Sequence, residues 1–248
     1  MDEWRLLPYD VGSSVRHIEL SDALVREGRE PTIWWHATDE ATLILGARQT
    51  PEDMAGRAST PVVRRQSGGT AVFAASGVLG LDIFLPRGHD LIQDDIVESY
   101  RWLGELWQKS LATLGIDGHL VTIDEARQAP VPPPLVRQAC FGSLSPFEVT
   151  VADRKMVGLA QVRRGNGVLL QSGIHLLYDA TGLASLIAPE DVELPALLRA
   201  AGVGLSELRR EIDESQVQSA FQRTLQRVRG IDLKQGAWTR EELTRANC

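Results

Sequence analysis

Between Thr32 and Leu85 five short β-type runs follow one another, most of them separated by only a few residues: Thr32–Trp35, Thr42–Leu45, Val62–Arg64, Ala71–Ala74 and Val78–Leu85. Gly46, Gly68, Gly69, Gly77 and Gly88 punctuate them. Parallel neighbours need a crossover of roughly a dozen residues or more, usually a helix. This spacing therefore predicts a largely antiparallel or mixed sheet. One helix precedes the runs, starting at Ser21-Asp22 and stopping at Gly28.

Beyond the runs the periodicity changes. From Ile96 to Leu114 apolar residues recur every three or four positions, Asp95 and Glu98 make a capping-box pattern, and Gly115 supplies the stop, which predicts a core-facing helix. A short apolar run, Leu120–Ile123, leads into Pro130-Val131-Pro132-Pro133-Pro134, which can be neither helix nor central strand. Phe147–Val151, Lys155–Val162 and Val168–Leu177 read as a three-stranded meander turning at Ala152–Arg154 and at Gly165-Asn166-Gly167. From Pro189 the pattern is helical, over 194–201, 205–212, 217–228 and a last stretch from Thr239.

With 248 residues, 43% of them hydrophobic, the chain can bury a core of one large domain with a small appendage. Lys and Arg number 26 against 33 Asp and Glu, so the net charge of −7 argues against nucleic acid and against anionic membrane surfaces as partners. The N-terminal segment lacks the basic-then-apolar pattern of a signal peptide, and no stretch reaches the roughly 20 apolar residues of a membrane span. Two cysteines, Cys140 and the terminal Cys248, make neither a disulfide framework nor a metal spacing, and the five histidines form no ligand pair. The expectation is a cytoplasmic protein without a metal.

Three segments can carry chemistry. In Arg64-Arg65-Gln66-Ser67-Gly68-Gly69-Thr70 the paired glycines let backbone amides approach a ligand, while the arginines can meet a carboxylate or phosphate; a plain hairpin turn is the competing reading. Lys155 opens a strand, with Gly158 and Ala160 expected on the opposite face from it. Cys140, between the proline run and the meander, can act as a nucleophile or be an inert packing residue.

Together these segments resemble the family of lipoate-protein ligases, octanoyltransferases and biotin-protein ligases. Thr42–Gln49 is similar to the family's strand ending in Gly and Gln, Arg64–Val72 to its Arg-Arg-x-Ser/Thr-Gly-Gly signature, and Asp153–Gln161 to its lysine segment, with Lys155 at the lysine. The resemblance, over about residues 4–185, implies an α+β fold for residues 1–188, a mostly antiparallel main sheet with a smaller sheet and flanking helices; the helical pattern that follows is read as an appendage over 189–248. It implies an active site between the Gly-Gly loop and the lysine hairpin, with an acyl tunnel. Arg64, Arg65, Ser67, Gly68, Gly69, Thr70, Gly158, Ala160 and Gln161 are its expected substrate-binding residues.

Within the family, Thr70 replaces the third Gly of the ATP-dependent ligases, and Ala74-Ala75 replace their His-Asp. The segment around Cys140 is similar to that of cysteine-dependent octanoyltransferases, and Gly77-Val78-Leu79 to that of the related amidotransferases. Ser172 stands where many relatives have His. The resemblance thus implies a Cys140 thioester, with Lys155 holding the carbonyl oxygen and no cofactor. The donor is an acyl-carrier protein or an octanoylated lipoyl-domain protein. The acceptor is the lysine of a lipoyl-domain protein, such as the glycine cleavage H protein or a 2-oxoacid dehydrogenase E2. An ATP-dependent lipoate-protein ligase and a non-catalytic lipoyl-domain-binding subunit are the alternatives. Because the chain is itself acidic, an arginine rim of Arg64, Arg65, Arg154, Arg163 and Arg164 is expected to attract an acidic partner.

Overall fold

The computed structural model describes residues 2–56, 60–75 and 77–247; Cys248 lies outside them. In chain order the elements are β1 (Asp2–Leu6), β2 (Asp10–Gly12), α1 (Ser14–Glu27), β3 (Thr32–Thr38), β4 (Leu43–Leu45), β5 (Val62–Arg64), β6 (Val72–Phe73) and β7 (Val78–Pro86). There follow α2 (Arg101–Thr113), β8 (His119–Leu120), α3 (Ile123–Gln128), β9 (Val149–Val151), β10 (Arg154–Arg164) and β11 (Gly167–His175). Last come α4 (Ala180–Ile187), α5 (Leu194–Ala201), α6 (Leu205–Leu208), α7 (Glu214–Arg229), β12 (Ile231–Gln235) and α8 (Arg240–Arg245).

The main sheet has the order β12-β1-β3-β7-β11-β10-β9-β8, with β2 paired to β3, and the small sheet has the order β5-β4-β6. From β3 through β7, β11, β10 and β9 to β8 every pairing is antiparallel, as the close spacing of the runs predicts. The β9–β10 hairpin turns on Ala152 and Asp153, both at positive φ, the conformation a two-residue turn between twisted strands favours.

Period two along the central strands decides what each face of the sheet meets. On β7, Leu79, Leu81, Ile83 and Leu85 enter the main core, where Trp35, Trp107 and Phe221 pack edge to face or tilted. Gly80 and Asp82 point the other way. On that second face Leu24 and Val25 of α1 cover Phe84 and Leu169 at one end. The small sheet stands over the rest, with Ile44 and Val72 among the residues lining the cavity that remains.

Several elements differ from the sequence expectation. Helix α1 starts at Ser14, capped by the Ser13 side chain, because a buried histidine, His17, serves on its inner face where an apolar residue was sought. Residues 98–100 form a 3-10 turn ahead of α2, and the Leu120–Ile123 run splits between β8 and α3. Strands β1 and β12 were both missed. They pair in parallel over five residues each, a contact between the two ends of the chain that no local pattern encodes. The boundary expected at 188/189 marks no break in the core, since Val217, Phe221, Leu225 and Ile231 share one cluster with Trp4 and Ile33. Arg5 of β1 and Glu242 of α8 add a buried two-bond ion pair at 2.6 and 3.1 Å.

Candidate active site

The Cys140 segment is tied to the Gly-Gly loop through backbone bonds. Ala71, just after the loop, donates to the Gln138 carbonyl and accepts from the Cys140 amide, each at 2.8 Å. The Gln49 side chain ties the turn after β4 to the Cys140 segment, accepting from Gly46 N–H at 3.1 Å and donating to the Gln138 carbonyl at 3.1 Å. Gly69 sits at φ +89°, and a Cβ there would lie 4.0 Å from the Cys140 sulfur and 2.8 Å from an Arg65 nitrogen. Glycine is required at this position for both backbone conformation and space.

Arg65 donates to the carbonyls of Gly68 and Thr70, at 3.0 and 2.9 Å through one nitrogen, so its guanidinium shapes the loop from within. Ser67 is buried, and its Oγ has no hydrogen-bond partner among the described residues, which leaves that hydroxyl free for a ligand.

Lys155 reaches the same place from β10. A register shift between Lys155 and Val157 reverses the alternation, so the lysine stands beside Gly158 and not on the opposite face as simple period two predicts. A Cβ on Gly158 would touch Lys155 Cε at 3.4 Å and the Phe141 ring at 3.5 Å. Lys155 Nζ pairs with Glu148 Oε1 at 2.6 Å and donates to the carbonyls of Cys140 and Ser143 at 2.9 and 3.3 Å. An ammonium has three protons, and three protein oxygens take them. The expected direct grip on a substrate carbonyl is therefore replaced, in this arrangement, by a grip on the backbone of the Cys140 turn. Burial works against the Lys155 charge, but Glu148 and then Cys140 outweigh it and hold the ammonium above its usual range.

Cys140, Lys155, Arg65, Ser67, Gly68, Gly69, Thr70, Gly158, Ala160 and Gln161 all line one cavity of about 460 Å³. Arg64 is exposed and does not line it. The floor carries a feature only the register reveals: Gly158, Gly173 and Gly80 are paired side by side on β10, β11 and β7. Strands lie about 4.8 Å apart. The row thus spans about 10 Å across the strands, bounded by Lys155 and the Phe141 ring at Gly158 and by the His36 ring over Gly80. A Cβ on Gly80 would strike that ring at 2.3 Å. His36 is held by stacking on Trp34 and His17 and lies 3.7 Å from Asp82, which accepts from Ser21 and Gln171. Reading the sequence alone missed His36, Glu148, Gly80 and Gly173; the last two carried a signal as glycines inside strands.

Gln161 donates to the Ile96 carbonyl at 2.8 Å, and Arg163 binds Gln161, the Gln93 carbonyl and Ser99 Oγ. They fasten the segment bearing Val97 and Tyr100 along the cavity. Arg154 pairs with Glu207, and Arg164 bonds Gln66. Of the expected rim, Arg65, Arg154, Arg163 and Arg164 thus each bond to other residues of the chain. Ser172 faces the core and accepts from Trp107 Nε1 at 2.8 Å.

A cysteine-bearing turn, a glycine loop and a lysine meet around one cavity. Residues 15–226 match the family model described as the lipoyl protein ligase A/B catalytic domain, and the chain belongs to that family. It is 31% identical over 186 residues to the octanoyltransferase LipM of Kyrpidia tusciae, covering 71% of this chain and 67% of the relative. With the LipM of Exiguobacterium sibiricum it shares 30% over 237 residues, covering 88% and 84%. Among solved structures, a lipoate-protein ligase A bound with ATP superposes with a TM-score of 0.77 at 18% identity, covering 100% of this chain and 93% of that one. The bipartite lipoate protein ligase of Thermoplasma acidophilum, described with its E2 lipoyl domain, gives 0.78 at 18%, covering 100% and 91%. These likenesses carry the fold.

Proposed function

We propose that this chain is an octanoyltransferase of lipoate metabolism that moves an octanoyl group through a Cys140 thioester onto the lysine of a lipoyl-domain protein. The observation that carries the reading is the meeting of Cys140, the Gly68–Gly69 loop and Lys155 at one end of a glycine-floored groove. An acyl chain joined to Cys140 would run along this row toward the His36 ring. The LipM relatives supply the acyl group, and the lipoyl domain in a neighbour's description supplies the class of acceptor.

In this cycle the Cys140 thiolate attacks the carbonyl carbon of the donor's thioester. The Ser67 hydroxyl and amides of the Gly-Gly loop are the donors available to the oxygen as it becomes negative. Collapse expels the donor thiolate, which takes up a proton, and leaves the acyl-enzyme. The acceptor's neutral amine then attacks the Cys140 thioester, loses a proton and forms the amide, restoring the thiolate. An acyl-carrier protein serves as this thioester donor; where an octanoylated lipoyl domain serves instead, the bond broken is the lysine amide and the leaving amine takes up the proton, and the cytoplasm is where both meet the enzyme.

The test incubates purified protein and unmodified lipoyl domain with either octanoyl-carrier protein or octanoate, ATP and magnesium, and reads acceptor mass. Modification in the first mixture alone is the expected result. Modification only in the second overturns the reading in favour of a ligase, and binding without modification in favour of a scaffold subunit.

A further inference from the structure

Glu148 belongs to no motif that marks the site, yet its side chain is buried, with 2% of its surface exposed against 3% for Lys155. A buried ion pair is a poor device for stability alone, because desolvation offsets most of the attraction and apolar residues of similar volume often do as well. The backbone on both sides of the pair is irregular. Phe147, a buried non-glycine residue, is held at φ +66°, a strained conformation for a side-chain-bearing residue, and the β-bulge at Lys155–Val157 interrupts the facing strand. Both irregularities aim the pair at the cavity.

The bonds form a chain leading to the nucleophile. Glu148 accepts from Ser145 N–H at 2.8 Å, from Leu159 N–H at 3.3 Å and from Lys155. Lys155 spends its other two protons on the Cys140 and Ser143 carbonyls. Building on the function proposed above, we propose that Glu148 is the positioning residue of this site: its carboxylate holds the Lys155 ammonium where it clamps the Cys140 turn, and so fixes the backbone that carries the reacting thiol.

Lys155 also faces Cys140 and Arg65, and the Phe141 ring lies between it and His175 and Tyr178. None of these supplies a second permanent negative charge. Without the Glu148 carboxylate the buried ammonium is unpaired and sheds its proton at lower pH.

The experiment compares wild type, Glu148→Gln and the double variant Glu148→Leu/Lys155→Met as full chains. In Glu148→Gln the alkaline limb of the kcat profile falls at least one pH unit below that of wild type, with KM for the lipoyl domain little changed. The double variant folds with near-wild-type Tm and loses roughly 10²-fold in kcat, the cost of a misplaced reacting group. A Glu148→Gln profile that superposes on wild type after scaling overturns the proposal, as does full activity of the double variant. If Glu148→Gln fails to fold, the double variant decides. Alkylation of Cys140 by iodoacetamide, which needs no acyl donor, separates this proposal from the functional one. Its rate at fixed pH changes several-fold in Glu148→Gln as the clamp on the Cys140 turn is lost, and an unchanged rate overturns the positioning role even where wild type transfers nothing.

Discussion

The amide of Cys140 donates to the carbonyl of Ala71 at 2.8 Å, so the cysteine is anchored to the chain two residues beyond the Gly-Gly pair. Sequence separation hides this contact. It places a half-buried sulfur against Gly69 while leaving the side chain uninvolved in the anchoring bond. Cys140→Ala is therefore expected to keep its fold and Tm but to lose acyl transfer, and intact mass after exposure to an octanoyl donor should show a hydroxylamine-labile adduct on wild type only. Near-wild-type transfer by Cys140→Ala would end the thioester mechanism.

Lys155→Met should cost stability as well as rate. It leaves the Glu148 carboxylate buried without its cation, a loss of about 3–5 kcal/mol, visible as a lowered denaturation midpoint. Lys155→Arg keeps the charge, but a planar guanidinium does not reproduce three divergent bonds from one nitrogen, so transfer should recover by less than one-tenth of the loss. Full recovery would show that charge alone suffices.

The glycine row gives a prediction about chain length. At Gly173 a Cβ meets only Leu79 O and Val78 Cγ1, both at an ordinary 3.7 Å, so a side chain fits the sheet but enters the groove. Gly173→Val should keep the wild-type melting temperature within a few degrees and shift acylation from eight-carbon toward four- to six-carbon thioesters. An unchanged chain-length profile would place the acyl group elsewhere.

Stability should fall with acid. Burial lowers His175 to about 4, and burial followed by the neighbouring His36 lowers His17 to about 4. Between the ordinary histidine value near 6.5 and about 4 the unfolded chain binds more protons than the folded one. The stability these neutral rings preserve is thus complete above pH 6.5 and lost as pH drops toward 4, by a few kcal/mol in all. Urea midpoints from pH 7 to pH 4 check this, and His175→Phe should flatten the slope by about one proton.

Arg163 distinguishes encounter from architecture. Since it fastens the Gln93 carbonyl and Ser99 beside the cavity, Arg163→Glu should slow Cys140 acylation even by a small thioester. Arg64→Glu, at an exposed site, should raise KM for the protein acceptor and leave the small-thioester rate alone. Equal effects of the two substitutions would restore Arg163 to the docking rim.

Local pattern was enough to find the central strands, the core face of α2, the meander and the three segments that meet at one cavity. Each of these is written in neighbouring residues: period two on Val78–Leu85, period 3.6 across Trp102–Leu111, paired glycines at 68 and 69. What the sequence could not decide is whatever depends on register between distant strands. The alignment of Gly158, Gly173 and Gly80 into one groove, the β1–β12 pairing and the placing of His36 over Gly80 arise from hydrogen-bond ladders joining residues far apart in the chain. The role of Lys155 turned on a single extra residue in a ladder, because a bulge reverses which face every following side chain meets. Only folding brought Glu148 to within 2.6 Å of that lysine, and burial then made the pairing obligatory by removing the water that would otherwise have satisfied both charges.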